Sequence, residues 1–227
     1  MPKQAHPDAT PHEFIELLKA GNRRFADGTP RHQNTDADRL ELAGREDQGE
    51  HACATVISCS DSRVPVERIF DAGVMDLFVV RVAGNILTPG AFGSVEYGMA
   101  HVLTPVLLVL GHTQCGAVTA TTDAVINGTC LPPEEHRIAA IMDKIRPAVE
   151  RAAARHPDAN AAALVPAAIE ENVWLIIEEL FRESPVVRNI VAAGKAVVVG
   201  AIYDLATGEV HWLPTERAEQ ILANTAA

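Results

Sequence analysis

At 227 residues, with 48% hydrophobic and 22% charged side chains, the chain has the make-up of one soluble globular domain and is too apolar to be disordered. Its 19 Lys+Arg against 30 Asp+Glu leave a net charge of -11, which excludes a broad phosphate-binding face, and 4% aromatics excludes stacking platforms for single strands, so nucleic acid is not an expected partner. No apolar run reaches the roughly 18 residues of a membrane span, and four cysteines do not make a disulfide scaffold. Residues 1–8 lack the basic-then-apolar pattern of a secretory leader. The expected location is the cytoplasm, where scattered Cys and His point to metal or catalysis. With no repeat and no linker, residues 1–227 read as a single α/β domain.

In chain order, Thr10-Pro11-His12-Glu13 is a capping box with proline at the first helical position. Phe14, Leu17, Leu18, Gly21 and Phe25 follow at helical spacing, and Asp27-Gly28 ends the helix. This arm, residues 10–27, precedes the first strand and is free to cover either its own core or a partner chain. Residues 31–50 are polar, with a short helix near 38–42. Four apolar runs, 54–59, 77–81, 106–110 and 196–203, are near-continuous rather than alternating, as parallel strands are when both faces are covered. Helical segments are predicted at 94–103, 116–127, 134–155, 165–181 and 186–193. This order implies α/β architecture with a mainly parallel sheet of about four strands, flanked by helices. A tight turn at 204–208 then returns the chain through 210–213 as an antiparallel edge strand.

Parallel sheets build sites beyond the carboxyl ends of their strands. The first strand ends in Cys59-Ser60-Asp61-Ser62-Arg63 and the third in Gly111-His112-Thr113-Gln114-Cys115-Gly116. If these strands are neighbours, Cys59, His112 and Cys115 converge. Two thiolates and an imidazole suit zinc and leave one tetrahedral position free, the catalytic pattern. A lone cysteine at a strand end is ordinarily a small buried hydrophobe, but two ligand-bearing loops at parallel strand ends outweigh that reading. Cys53 lies roughly 20 Å back along the first strand, and Cys130 follows the far end of the helix that begins near Cys115. Both read as structural thiols. Asp61 and Arg63 form either a loop-stabilising ion pair or a functional one, in which Arg63 keeps Asp61 ionised and turned toward metal-bound solvent. A carboxylate only accepts hydrogen bonds, so it would orient a zinc hydroxide. The chain holds no Walker A loop, no G-x-G-x-x-G after a strand, no H-E-x-x-H, no G-x-S-x-G and no C-x-x-C.

These motifs, with Arg81-Val82-Ala83-Gly84-Asn85 and Glu96-Tyr97, resemble the β-class carbonic anhydrases over most of the chain, about residues 13–212. The resemblance implies a zinc enzyme interconverting carbon dioxide and bicarbonate, with Cys59, His112 and Cys115 on the metal and Asp61–Arg63 as gating pair. It implies an apolar pocket drawing on Phe78, Ala83, Gly84 and Gly116, which Tyr97 reaches from a neighbouring subunit. It also implies a homodimer, sometimes doubled to a homotetramer, with the N-terminal helix lying on the partner. The chain departs from the family at Glu50, where members often carry a pocket glutamine, and at Ala83, where a branched residue is common. His32, His51 and His101 are candidate proton shuttles.

Members inhibited by bicarbonate use a Trp, an Arg and a Tyr; the matching positions are Val56, Arg81 and Tyr203. Val56 offers no hydrogen-bond donor, so an open site with Asp61 held off the metal is expected. Arg81 then reads as an interface or core-edge ion-pair residue. Two thiolates lower the Lewis acidity of zinc, so hydration should rise through a pKa above the ~7 of a three-histidine carbonic anhydrase. The alternatives are a hydrolase for carbon disulfide or carbonyl sulfide on the same residues, or a non-catalytic zinc-stabilised interaction protein.

Overall fold

The computed structural model describes residues 3, 6 and 8–225; most of the opening segment read as lacking a leader falls outside them. Its centre is a five-stranded sheet in the order β2-β1-β3-β4-β5. The strands are β1 (Ala54–Ser58), β2 (Leu77–Arg81), β3 (Val106–His112), β4 (Val197–Tyr203) and β5 (Val210–Trp212). β1 pairs in parallel with β2 and β3, and β3 with β4, while β5 returns antiparallel on β4. Every residue of β1 and β3 is buried, which is why these runs carry no polar alternation. Of the two polar side chains in β1, Thr55 is satisfied by Thr104, Oγ1 to Oγ1 at 2.7 Å, while Ser58 Oγ, at the strand's carboxyl end, is buried without a hydrogen-bond partner.

The helices are α1 (Pro11–Ala26), α2 (Ala37–Ala43), α3 (Val66–Ile69), α4 (Pro89–Ala100), α5 (Gly116–Asn127), α6 (His136–Arg155), α7 (Ala161–Glu183), α8 (Pro185–Ala192) and α9 (Thr215–Thr225). One face of the sheet packs on α1 and α3 through Phe14, Leu18, Ile69 and Phe70. The other packs on α4 and α7 through Val95, Met99, Trp174 and Ile177. A third apolar cluster, including Ile145, Val149, Leu164 and Ile169, closes the carboxyl end of the sheet and contains Cys59 and Cys115. Helix α4 begins at Pro89, earlier than the expected 94, because Thr88 caps it and Pro89 occupies its first turn. It also ends at Ala100 rather than 103, with Leu103 at φ 59 outside the helix. Helices α3 and α9 were not anticipated.

The capping box of α1 forms as expected: Thr10 Oγ1 accepts from Glu13 N, and Glu13 Oε2 accepts from Thr10 N at 2.7 Å. The apolar stripe of this helix is covered within its own chain, with Phe14 2% and Leu18 0% exposed. Buried Asn22 ties the helix down, donating to the Ile69 and Gly208 carbonyls and accepting from Val210 N at 2.8 Å. The stripe therefore supplies no reason of its own for a partner chain. At Gly21 an added Cβ would stand 2.0 Å from the Phe70 carbonyl oxygen, a backbone contact that cannot yield cheaply. Gly21→Ala is expected to destabilise the fold by about 1–3 kcal/mol, read as a fall in the midpoint of chemical unfolding at unchanged m-value.

Candidate metal centre

Because β1 and β3 are neighbours with Ser58 opposite Leu110, their carboxyl ends deliver Cys59 and His112 to the same place. Gln114 then takes a left-handed conformation, φ 56, which turns the chain so that Cys115 starts helix α5. Cys59 Sγ, Cys115 Sγ and a ring nitrogen of His112 all lie within 4.8 Å of one another, and all three residues are buried. Cys53 and Cys130 are free and stand apart from this group, and burial pushes the Cys53 thiol up to about 12.

The imidazole is set by its surroundings. Its Nδ1 lies 2.9 Å from the Thr113 carbonyl oxygen, an acceptor, so Nδ1 carries the proton and Nε2 keeps its lone pair. Thr113 is itself fixed, its N–H donating to the Tyr203 carbonyl at 2.9 Å and its Oγ1 accepting from Leu205 N at 3.0 Å. His112 Nε2 is buried without a hydrogen-bond partner. A buried lone pair left unmet beside two thiols is costly unless something binds it, and a cation of the zinc type meets all three donors. The neighbouring Cys115 thiol draws the Cys59 thiol well below its ordinary value, and the proximity of Cys59, with burial, pushes the Cys115 thiol up.

Asp61 and Arg63 form a bidentate pair. Oδ1 accepts from Arg63 N and Nε at 2.9 and 3.0 Å, and Oδ2 accepts from Nη2 at 2.7 Å. The guanidinium holds this carboxyl far below the usual range. Arg63 also reaches the Gln114 carbonyl at 3.3 Å, linking the two ligand loops. Asp61 Oδ2 lies 4.0 Å from His112 Nε2, so an ionised acceptor borders the cluster while its charge is engaged by arginine.

Within its own chain Arg81 is not the core-edge ion-pair residue expected. Its Nε donates to the Cys59 carbonyl at 2.9 Å and its Nη2 to the Asp61 carbonyl at 2.6 Å. It braces the ligand-bearing turn through backbone rather than through a carboxylate, because the end of β2 lies alongside Ser58. Arg81→Ala is expected to lower kcat/KM about tenfold to a hundredfold with metal content retained, checked by metal analysis beside steady-state rates.

The anticipated pocket residues are only partly gathered in one chain. Gly84 contacts the cluster, its N–H donating to Cys59 Sγ at 3.3 Å. Ala83 begins the same short 3-10 turn, Ala83–Asn85, and Gly116 follows Cys115 at the start of α5. A mostly apolar groove of about 800 Å³ opens beside Gly116, running past Gln114 and Thr119 to Val165 and Ile169. Phe78 pairs with Thr55, about 13 Å along the strand from Cys59, and there meets Tyr97 at 6.1 Å between ring centroids. Tyr97 is 51% exposed. Glu50 ends a 3-10 turn ahead of β1, at the opposite end of the strand from Cys59. His51 is buried between Arg39 and Glu46, His101 stacks near Tyr97, and none of the three candidate shuttles joins the cluster. Val56 is buried in mid-strand, and Tyr203 packs near Phe25.

An α/β sheet carrying three convergent soft and borderline donors at its carboxyl edge, beside an arginine-held carboxylate, presents an enzyme-like site with a group that could bind a metal. The carbonic anhydrase family model matches residues 54–210, and the chain belongs to the β-carbonic anhydrases. It is 33% identical to "Carbonic anhydrase 2" of Mycobacterium tuberculosis over 203 residues, covering 89% of this chain and 92% of that one. A solved β-carbonic anhydrase of Coccomyxa, in complex with acetazolamide, superposes with a TM-score of 0.66 at 26% identity, over 87% of this chain and 85% of that one. One of two tetrameric β-carbonic anhydrases from Sordaria macrospora shares the fold, with a TM-score of 0.65 at 23% identity over 89% and 97% of the two chains. No helix among the described residues is long and apolar enough to cross a membrane.

Proposed function

We propose that this chain catalyses the reversible hydration of carbon dioxide to bicarbonate and a proton, with zinc held by Cys59, His112 and Cys115. The observation that carries the reading is the buried, unpartnered Nε2 of His112 facing two thiols beside the Arg63-held Asp61. A zinc ion bound there would supply a Lewis acid able to make water nucleophilic near neutral pH. Asp61, ionised and 4.0 Å from Nε2, accepts a proton-bearing group and orients it. Arg63 holds that carboxylate by two side-chain bonds and keeps it off the cluster. Ala83, Gly84 and Gly116 border the site.

Phe78 and Tyr97 complete the pocket of a neighbouring subunit in a homodimer or homotetramer. Tyr97 and Leu103, 51% and 62% exposed, are the apolar surface offered to it. Four free cysteines suit a reducing compartment, the cytoplasm.

Stopped-flow hydration of carbon dioxide by the zinc-loaded protein tests the reading, with carbon disulfide and carbonyl sulfide as competing substrates. Hydration that depends on Cys59 and Asp61 is the expected result. Zinc-loaded protein that hydrates carbon dioxide no faster than buffer, or that turns over only the sulfur compounds, would contradict it.

A further inference from the structure

Asn172 lies on α7, remote in sequence from every ligand, and is 1% exposed. Its Nδ2 donates to the Gly84 carbonyl at 3.0 Å, and the Gly84 N–H donates to Cys59 Sγ at 3.3 Å. Gly84 has no freedom between these two bonds. It sits at φ +70, and a Cβ there would stand 2.6 Å from Ile145 Cδ1 and 3.1 Å from Ala117 Cβ, so α5 and α6 close on its remaining side. Packing alone does not account for the asparagine, because its Oδ1 is buried without a hydrogen-bond partner. An apolar side chain of similar size would avoid that unmet acceptor, so the amide is explained by what its donor holds.

We propose that Asn172 is a positioning residue for the metal centre: by anchoring the Gly84 carbonyl it keeps the Gly84 N–H aimed at Cys59 Sγ. The inference rests on the reading of Cys59 as a metal ligand. A hydrogen bond to a ligating sulfur withdraws electron density from it, so the sulfur donates less to the metal and the metal stays the stronger Lewis acid. Removing the anchor leaves the ligand set intact and makes Cys59 a stronger donor.

The test uses three preparations of the full chain. Cadmium-113-loaded parent protein should show scalar coupling between the metal and the Gly84 amide proton through the N–H···S bond. Asn172→Leu removes the unmet acceptor with the donor and keeps the branched shape; Asn172→Val removes both with a shorter side chain. Each should fold, bind one metal and lose that coupling. With cobalt(II) in place of zinc, the sulfur-to-metal charge-transfer band should move to lower energy in both variants. With zinc, kcat should fall about tenfold to a hundredfold with KM little changed. A parent protein without coupling at Gly84 overturns the proposal. So does a variant that keeps the parent's coupling, band position and kcat. Absence of any sulfur-to-cobalt band in the parent would instead overturn the assignment of Cys59 as a ligand.

Discussion

Cys115→Ala is expected to lose bound zinc and activity together while the sheet survives. The thiol it removes is one of three donors within 4.8 Å, and two remaining donors lose most of the chelate advantage. The loss should exceed the roughly tenfold to hundredfold that supporting residues cost, leaving hydration at the buffer rate. The fold should persist because Cys115 caps the start of α5 and lies in the smaller cluster at the carboxyl end rather than within the sheet's two apolar faces. Metal analysis and carbon dioxide hydration on one sample check this. Full zinc and parent activity in Cys115→Ala would remove the residue from the ligand set.

Asp61→Asn separates metal binding from turnover. The amide keeps the shape but brings a donor to a position where an acceptor is needed, and it gives up the charge that Arg63 clasps at 2.7 Å. Zinc content should match the parent while kcat falls about 10²–10⁴-fold, the range for a positioned proton-handling group. The parent's pH profile carries a linked expectation. The Arg63 hydrogen bonds hold the folded-state value of Asp61 below its ordinary 3.8. The pair's stabilisation is therefore present above the unfolded value and is lost as pH falls toward the folded one. Asp61 stays ionised throughout the neutral range, so a rate change between pH 6 and 9 does not arise from its titration. The profile of Asp61→Asn should keep its shape at a lower height. An unchanged kcat would refute the orienting role.

The grouping of Cys59, His112 and Cys115 was legible because these residues lie in two short loops, each at the end of an unbroken apolar run. What brings the loops together is the adjacency of β1 and β3, and the sequence allowed this only as a condition, since strand order is decided by long-range packing. The start of α4 was obscured by Gly90 and Gly93, although Thr88 and Pro89 carry the ordinary signals of a helix start. Arg81 was misread because a charge at a strand end suggests an ionic partner, whereas its partners here are backbone carbonyls of the neighbouring strand's loop. Helix α1 looked like an outlying arm because Asn22, the residue that fastens it to Ile69, Gly208 and Val210, has no sequence signature. Asn172 was invisible for the same reason, since its role depends on α7 lying against the turn at Gly84.

Zinc K-edge X-ray absorption on protein loaded with one equivalent of zinc reads the atoms bound to the metal without reference to activity. Two sulfur scatterers at about 2.3 Å and two nitrogen or oxygen scatterers at about 2.0–2.1 Å are expected, one with the outer-shell pattern of imidazole. A shell without sulfur, or with three or more sulfurs, would contradict a centre built from Cys59, His112 and Cys115 with one position open.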